Sequence, residues 1–195
     1  QKPVTWQGKL RPPLKDQLVY PPVENGQLKT WIGVGGSPQS VVRAAHYDLP
    51  LMLAIIGGDP ARFAPYVDLY HRAFKEFGRP AQPIGVHSPG YVAETDGEAR
   101  EELWPDYKAM RDRIGKERGW PPMGRDEFVN EAEHGSLYVG SPETVARKIA
   151  KTAKALRISR FQLKYSAGPL PHEKLMKSIE LYGRKVVPMV REMMG

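Results

Sequence analysis

The residues best suited to chemistry lie in the segment Trp31-Ile32-Gly33-Val34-Gly35-Gly36-Ser37-Pro38-Gln39-Ser40-Val41. A short apolar run ends in two glycines and then in a helix-start signal. Ser37 has the side chain of an N-cap, since its hydroxyl can accept a bond from a first-turn amide. Pro38 suits the first helical position, where its missing N–H costs nothing. Gly35 and Gly36 allow a sharp turn and a close backbone approach by a ligand. Free amides at the positive end of a helix dipole form a seat for an anion such as a phosphate. A tight strand-to-helix turn that binds nothing carries the same local sequence, so the rest of the chain must decide.

Few other residues compete for a chemical role. His87 stands at the end of an apolar run, beside Ser88, where it could face a substrate or accept a proton. It has no partner identifiable from sequence, and a structural role explains it better. His46, His71, His134 and His172 show no metal-ligand spacing, and no metal is expected. Trp6, Trp31, Trp104 and Trp120 read as packing anchors. Lys164 and Tyr165 end the last apolar run and so stand near the same face as His87.

The elements that would position these residues repeat. Four strand-like runs, Thr30–Gly35, Leu51–Ile56, Pro83–His87 and Arg160–Tyr165, are bounded by Gly or Pro, as buried parallel strands are. Helical patterns follow at Pro38–Tyr47, Pro60–Phe77, Pro142–Leu156 and Pro171–Met193, with Pro188 expected to kink or end the last one. The third unit carries an insertion, Glu94–Val139, containing a long helix at Asp96–Arg118, with Ala99, Leu103, Tyr107, Met110 and Ile114 on one stripe, and a short one near Arg125–Ala132. Its glycine-bearing joints suggest a lid, mobile or fixed. Gly140-Ser141-Pro142-Glu143-Thr144 echoes the first motif, but Glu143 places a carboxylate where an anion would sit. Residues 1–29 have no regular period and carry five prolines, so they read as an irregular loop entering from an upstream half.

Alternating βα units imply a parallel sheet with right-handed crossovers. Four of them make half of an eight-unit barrel, which usually needs about 250 residues. An open doubly wound sheet fits the same pattern. A 195-residue chain with 41% hydrophobic residues is long enough for a sizeable core. It has no apolar run of membrane-spanning length and no signal-peptide pattern, so no membrane association and a cytoplasmic location are expected. With no cysteine, a disulfide framework and a thiolate metal site are excluded. The net charge of +7 is concentrated on the outer face of the Pro142–Leu156 helix and just beyond it, without interleaved aromatics, which argues against nucleic acid as a partner.

The order and spacing of five segments resemble the bacterial luciferase-like flavin-dependent monooxygenases. They are Trp31–Ser40, Leu49–Gly58, Val86–Thr95, Tyr138–Val145 and Phe161–Tyr165. The resemblance implies an α/β fold of the (β/α)8 TIM-barrel type, with this chain supplying about the C-terminal four βα units, residues 30–195. It implies a flavin-dependent oxidoreductase whose flavin phosphate sits on Gly35, Gly36, Ser37 and Ser40. It also implies that Met52 to Ile56 pack against the ring or ribityl chain. Reduced FMN and the deazaflavin coenzyme are both compatible with these residues. A small-molecule substrate, a flavin reductase, and either a homo-oligomer or the N-terminal half of the same protein are the implied partners. The alternatives are a non-catalytic, truncated half-barrel that oligomerises or completes a partner, and a deazaflavin-dependent dehydrogenase or reductase.

Overall fold

The computed structural model describes residues 2–23, 28–166 and 168–195. The chain forms two units, residues 1–30 and 31–195. In the first, β1 (Val4–Trp6) and β2 (Leu14–Gln17) pair antiparallel, with Trp6 opposite Leu14. The Thr5 hydroxyl accepts a bond from the Asp16 amide at 3.2 Å, and the Arg11 guanidinium lies 5.6 Å from the Trp6 ring. This ordered pair lies within the segment whose prolines and lack of period suggested only irregular loop. Strands of three and four residues are too short to show a period in sequence.

The second unit opens with β3 (Ile32–Val34) and α1 (Pro38–His46), then β4 (Leu51–Ala54). The next helix begins with a 3-10 turn at Pro60–Phe63, capped by Asp59, before α2 (Ala64–Glu76). Then come β5 (Ile84–Val92), α3 (Asp96–Arg118), α4 (Arg125–Glu133), β6 (Tyr138–Gly140), α5 (Pro142–Leu156) and β7 (Arg160–Lys164). All pairings in this sheet are parallel. β4 lies between β3 and β5, and β7 pairs with the first part of β5, from Gly85 to Pro89. The strand is longer than the sequence suggested. Its last residues, Gly90–Val92, pair with β6, so the insertion returns to the sheet by extending β5.

The sheet is covered on one face only. Leu51, Leu53 and Ile55 are fully buried with Val41, Tyr70, Phe74, Val86 and Leu156, whereas Met52 and Ala54 are half-buried. On β7, Arg160, Gln162 and Lys164 are exposed and alternate with half-buried Phe161 and Leu163. Side chains on a strand alternate between faces, so α1, α2 and α5 cover one side and leave the other open. This differs from the expected burial on both faces. The open face is layered by the register: Gly33, Met52, Gly85 and Arg160 form one row, and Ala54, His87 and Gln162 the next. Gly85 makes the first row possible, because a Cβ there would stand 2.8 Å from Met52 Cε.

The insertion has its own core. Tyr91, Leu103, Tyr107, Phe128 and Leu137 are buried together beneath α3 and α4. A capping box of Thr95 and Glu98 starts α3, and Gly119 at φ 70° ends it. A third cluster joins Val92 and Tyr138 to α5 and to the C-terminal helices. Those helices are α6 (His172–Leu181) and α7 (Val187–Met194), joined by a π-helical turn at Tyr182–Val186. The Val187 amide reaches back to the Tyr182 carbonyl. Pro188 has no amide hydrogen and its ring crowds the carbonyl four residues back, so the ladder shifts by one residue at the position where a kink was expected.

Candidate functional site

The carboxyl ends of β3, β4, β5 and β7 and the start of α1 gather the candidate residues. At α1, the Ser37 hydroxyl accepts from the Ser40 amide at 3.3 Å and donates to Gln39 Oε1 at 3.0 Å. Gly36 sits at φ 128°, a conformation that favours glycine, and its carbonyl accepts from the Tyr66 hydroxyl at 2.9 Å. A Cβ on Gly35 would meet nothing within 4 Å. No acidic residue stands in the first turn of α1.

The echoing helix start at α5 is built differently. There Asp96, from the first turn of α3, accepts from the Ser141 amide at 2.6 Å and from the Thr144 hydroxyl at 3.0 Å. Burial opposes ionisation of Asp96, but these bonds and the Arg100 charge outweigh it and hold the carboxyl below its ordinary range. An internal carboxylate therefore occupies the α5 seat and joins the insertion to the sheet. Sequence reasoning identified Glu143 as the residue closing this seat; the structure adds Asp96, which lies too far away in sequence to be paired by pattern.

At the other strand ends, Ile56 is 57% exposed, and the Ser88 hydroxyl donates to the Ile55 carbonyl at 2.8 Å. His87 faces the open side beside Gln162. Burial, aided by the Lys164 charge, lowers its pKa below the usual imidazole value and so favours the neutral ring. Ile56, His87, Pro89 and Lys164 line one wall of a cavity of about 520 Å³. Tyr107, Met110, Arg111 and Ile114 of α3 form the facing wall, with Trp120 and Met123 beyond.

The structure thus brings Ile56 and His87 together with Lys164. Gly35, Gly36, Ser37 and Ser40 form a separate cluster at α1, and Met52 lies one row deeper on the open face. Sequence reasoning placed Tyr107, Met110 and Ile114 on one stripe of a helix. The first part of that stripe is core, Tyr107 and Met110 both pack on that core and line the cavity, and Ile114 lines the cavity. It missed Arg111 and Trp120 as wall residues, and Glu131 as the residue that holds the β4 loop. Both Glu131 oxygens accept from the Gly58 amide, at 2.9 and 3.1 Å, and Oε2 also accepts from the Ser136 amide at 3.2 Å. Lys148, half in the interior, donates to the Glu131, Ala132 and Leu137 carbonyls and so caps the end of α4.

Parallel βα units with the candidate residues at the carboxyl ends of the strands define part of a TIM-barrel enzyme fold. Residues 1–159 match the sequence profile of the luciferase-like monooxygenases, and the chain belongs to that family. Solved structures agree in fold. Monooxygenase RslO1 from Streptomyces bottropensis superposes with a TM-score of 0.67 at 18% identity, over 96% of this chain and 56% of that one. The oxygenating constituent of 3,6-diketocamphane monooxygenase from Pseudomonas putida, solved in complex with FMN, gives 0.64 at 19% identity, over 96% and 58%. An F420-dependent secondary alcohol dehydrogenase with an F420-acetone adduct gives 0.60 at 18% identity, over 97% and 56%. This chain therefore spans little more than half the length of these structures. A search of curated protein sequences returned no match. Among the described residues no helix is long and apolar enough to cross a membrane.

Proposed function

We propose that this chain is the cofactor-phosphate half of a flavin-dependent oxidoreductase, with the phosphate on Gly35, Gly36, Ser37 and Ser40. The observation that carries the reading is the contrast between the two helix starts: α5 is filled by Asp96, whereas α1 has open space at Gly35 and no carboxylate in its first turn. A phosphate fits such a seat, where unpaired amides and the helix dipole favour negative charge. Met52, Ala54 and Ile56 present the open face on which the rest of the cofactor would lie. FMN and the deazaflavin coenzyme both fit the reading, and solved relatives carry one or the other. When bound, the flavin supplies the redox chemistry. The residues here supply the phosphate seat, an apolar surface, a neutral imidazole at His87, and a wall from α3 that excludes water. The edge strands β3 and β7 support completion by four further βα units, from an N-terminal half of the same protein or a second copy.

Fluorescence titration with FMN and with riboflavin tests this reading. Gly35→Val places a branched side chain into open space at a backbone conformation that any residue adopts, so the fold should survive. We expect FMN to bind more tightly than riboflavin, and the variant to lose at least tenfold in FMN affinity, about 1.4 kcal/mol. Equal FMN binding by Gly35→Val and the unaltered chain overturns the phosphate seat.

A further inference from the structure

The cavity at the strand ends is charged on one side of the balance. Its lining holds four cationic side chains, Arg62, Arg111, Arg118 and Lys164, and two carboxylates, Glu127 and Glu131. Glu131 is committed to the Gly58 and Ser136 amides. Glu127 approaches Arg111 only to 3.7 Å, at the limit of an ion pair. Arg62 is directed to the Gly57 carbonyl at 2.9 Å. Arg111 remains incompletely satisfied: its Nη1 is buried without a hydrogen-bond partner. Its guanidinium lies 4.5 Å from the Trp120 ring centroid, with Arg118 at 5.2 Å. Gly115 gives it room, because a Cβ there would stand 3.1 Å from Nη1. A part-buried guanidinium with an unmet donor favours the arrival of an acceptor, and a carboxylate, sulfonate or phosphate meets its fork geometry. Across the cavity Lys164 adds a second positive charge. The remaining wall is apolar: Ile56, Met110, Ile114, Trp120 and Met123.

We propose that this cavity takes a small organic anion, with its apolar body against Met110, Ile114 and Trp120 and its acidic head between Arg111 and Lys164. The proposal rests on the flavin reading for calling this ligand the substrate, whereas the recognition itself rests only on the cavity. The volume of about 520 Å³ suits an aromatic or short aliphatic acid. The same cations would also attract a cofactor phosphate, and the experiment separates the two sources.

The test is calorimetric titration of the 195-residue chain with 1-naphthoate and its neutral counterpart 1-naphthamide, alongside FMN and riboflavin. The unaltered chain is expected to prefer naphthoate at least tenfold. Arg111→Gln should abolish that preference and leave naphthamide binding within twofold. Lys164→Gln, on a different element, should reduce the preference and guards against a folding defect in the first variant. Equal binding of the two naphthalenes by the unaltered chain overturns the proposal, as does a preference that survives both substitutions. A loss in Arg111→Gln of FMN affinity relative to riboflavin also overturns it, since the cations would then serve the cofactor. A naphthoate preference in a chain that binds neither FMN nor riboflavin supports anion recognition and overturns the flavin reading instead.

Discussion

Removing the Glu131 carboxylate should loosen the cavity and the insertion together. Glu131 ties the loop after β4 to α4, through the Gly58 amide, and also closes the turn after α4, through the Ser136 amide. Hydrogen bonds to a charged acceptor contribute about 1.5–3 kcal/mol each, and a half-buried donor left without a partner loses part of its hydration as well. Two donors are orphaned in Glu131→Ala, and Lys148 loses a nearby opposite charge that favours its ammonium. The expected cost is about 3 kcal/mol, which for a chain of this size lowers the melting temperature by roughly 6–12 °C. Glu131→Gln keeps one carbonyl oxygen and should cost about half as much. Thermal melts followed by circular dichroism read the global effect. Amide exchange at Gly58 and Ser136, and limited proteolysis near Trp120–Arg125 and His134–Ser136, read the local one. Faster exchange and faster cleavage in Glu131→Ala are expected. A melt within about 1 °C of the unaltered chain, with unchanged protection at Gly58, refutes the reasoning and with it the role of Glu131 as the latch of the insertion.

Two other outcomes follow from the same structure. Asp96 has a folded-state pKa below its value in the unfolded chain, so its contribution to stability is present above the ordinary aspartate range and is lost as pH falls through the lowered value. Asp96→Asn should therefore flatten the acid side of the stability profile in urea titrations between about pH 5 and pH 2, and an unchanged slope counts against the α5 seat being held by an ionised carboxylate. The strands β3 and β7 are the two edges of the main sheet, and the face that carries Met52, Gln162 and Lys164 is open. Unpaired parallel edges recruit partners, so solution scattering of the chain should show self-association or assembly with a complementary half, and a cooperative monomer counts against completion of the barrel by a partner.

The sequence by itself determined the order of elements and much of their extent. The glycine, proline and capping signals are local, and helix ends depend on local hydrogen bonds, so α3 at Asp96–Arg118 and α5 at Pro142–Leu156 were legible residue for residue. The turn and capped helix start at Gly35–Ser40 were legible for the same reason. The tertiary structure alone decided which faces are covered. An apolar run such as Leu51–Ile56 does not tell whether helices lie on one side of it or on both, and the half-buried Met52 and Ala54 show one. It also decided that the α5 start is closed, because the carboxylate that meets it comes from Asp96, on α3, and not from the helix itself. Finally it decided that the stripe on α3 divides, with Ala99 and Leu103 in a core, Tyr107 and Met110 at its border with the cavity, and Ile114 on the cavity wall near Arg111. Periodicity records that a face is apolar, but what that face meets depends on segments far away in the chain, here the ends of β4, β5 and β7.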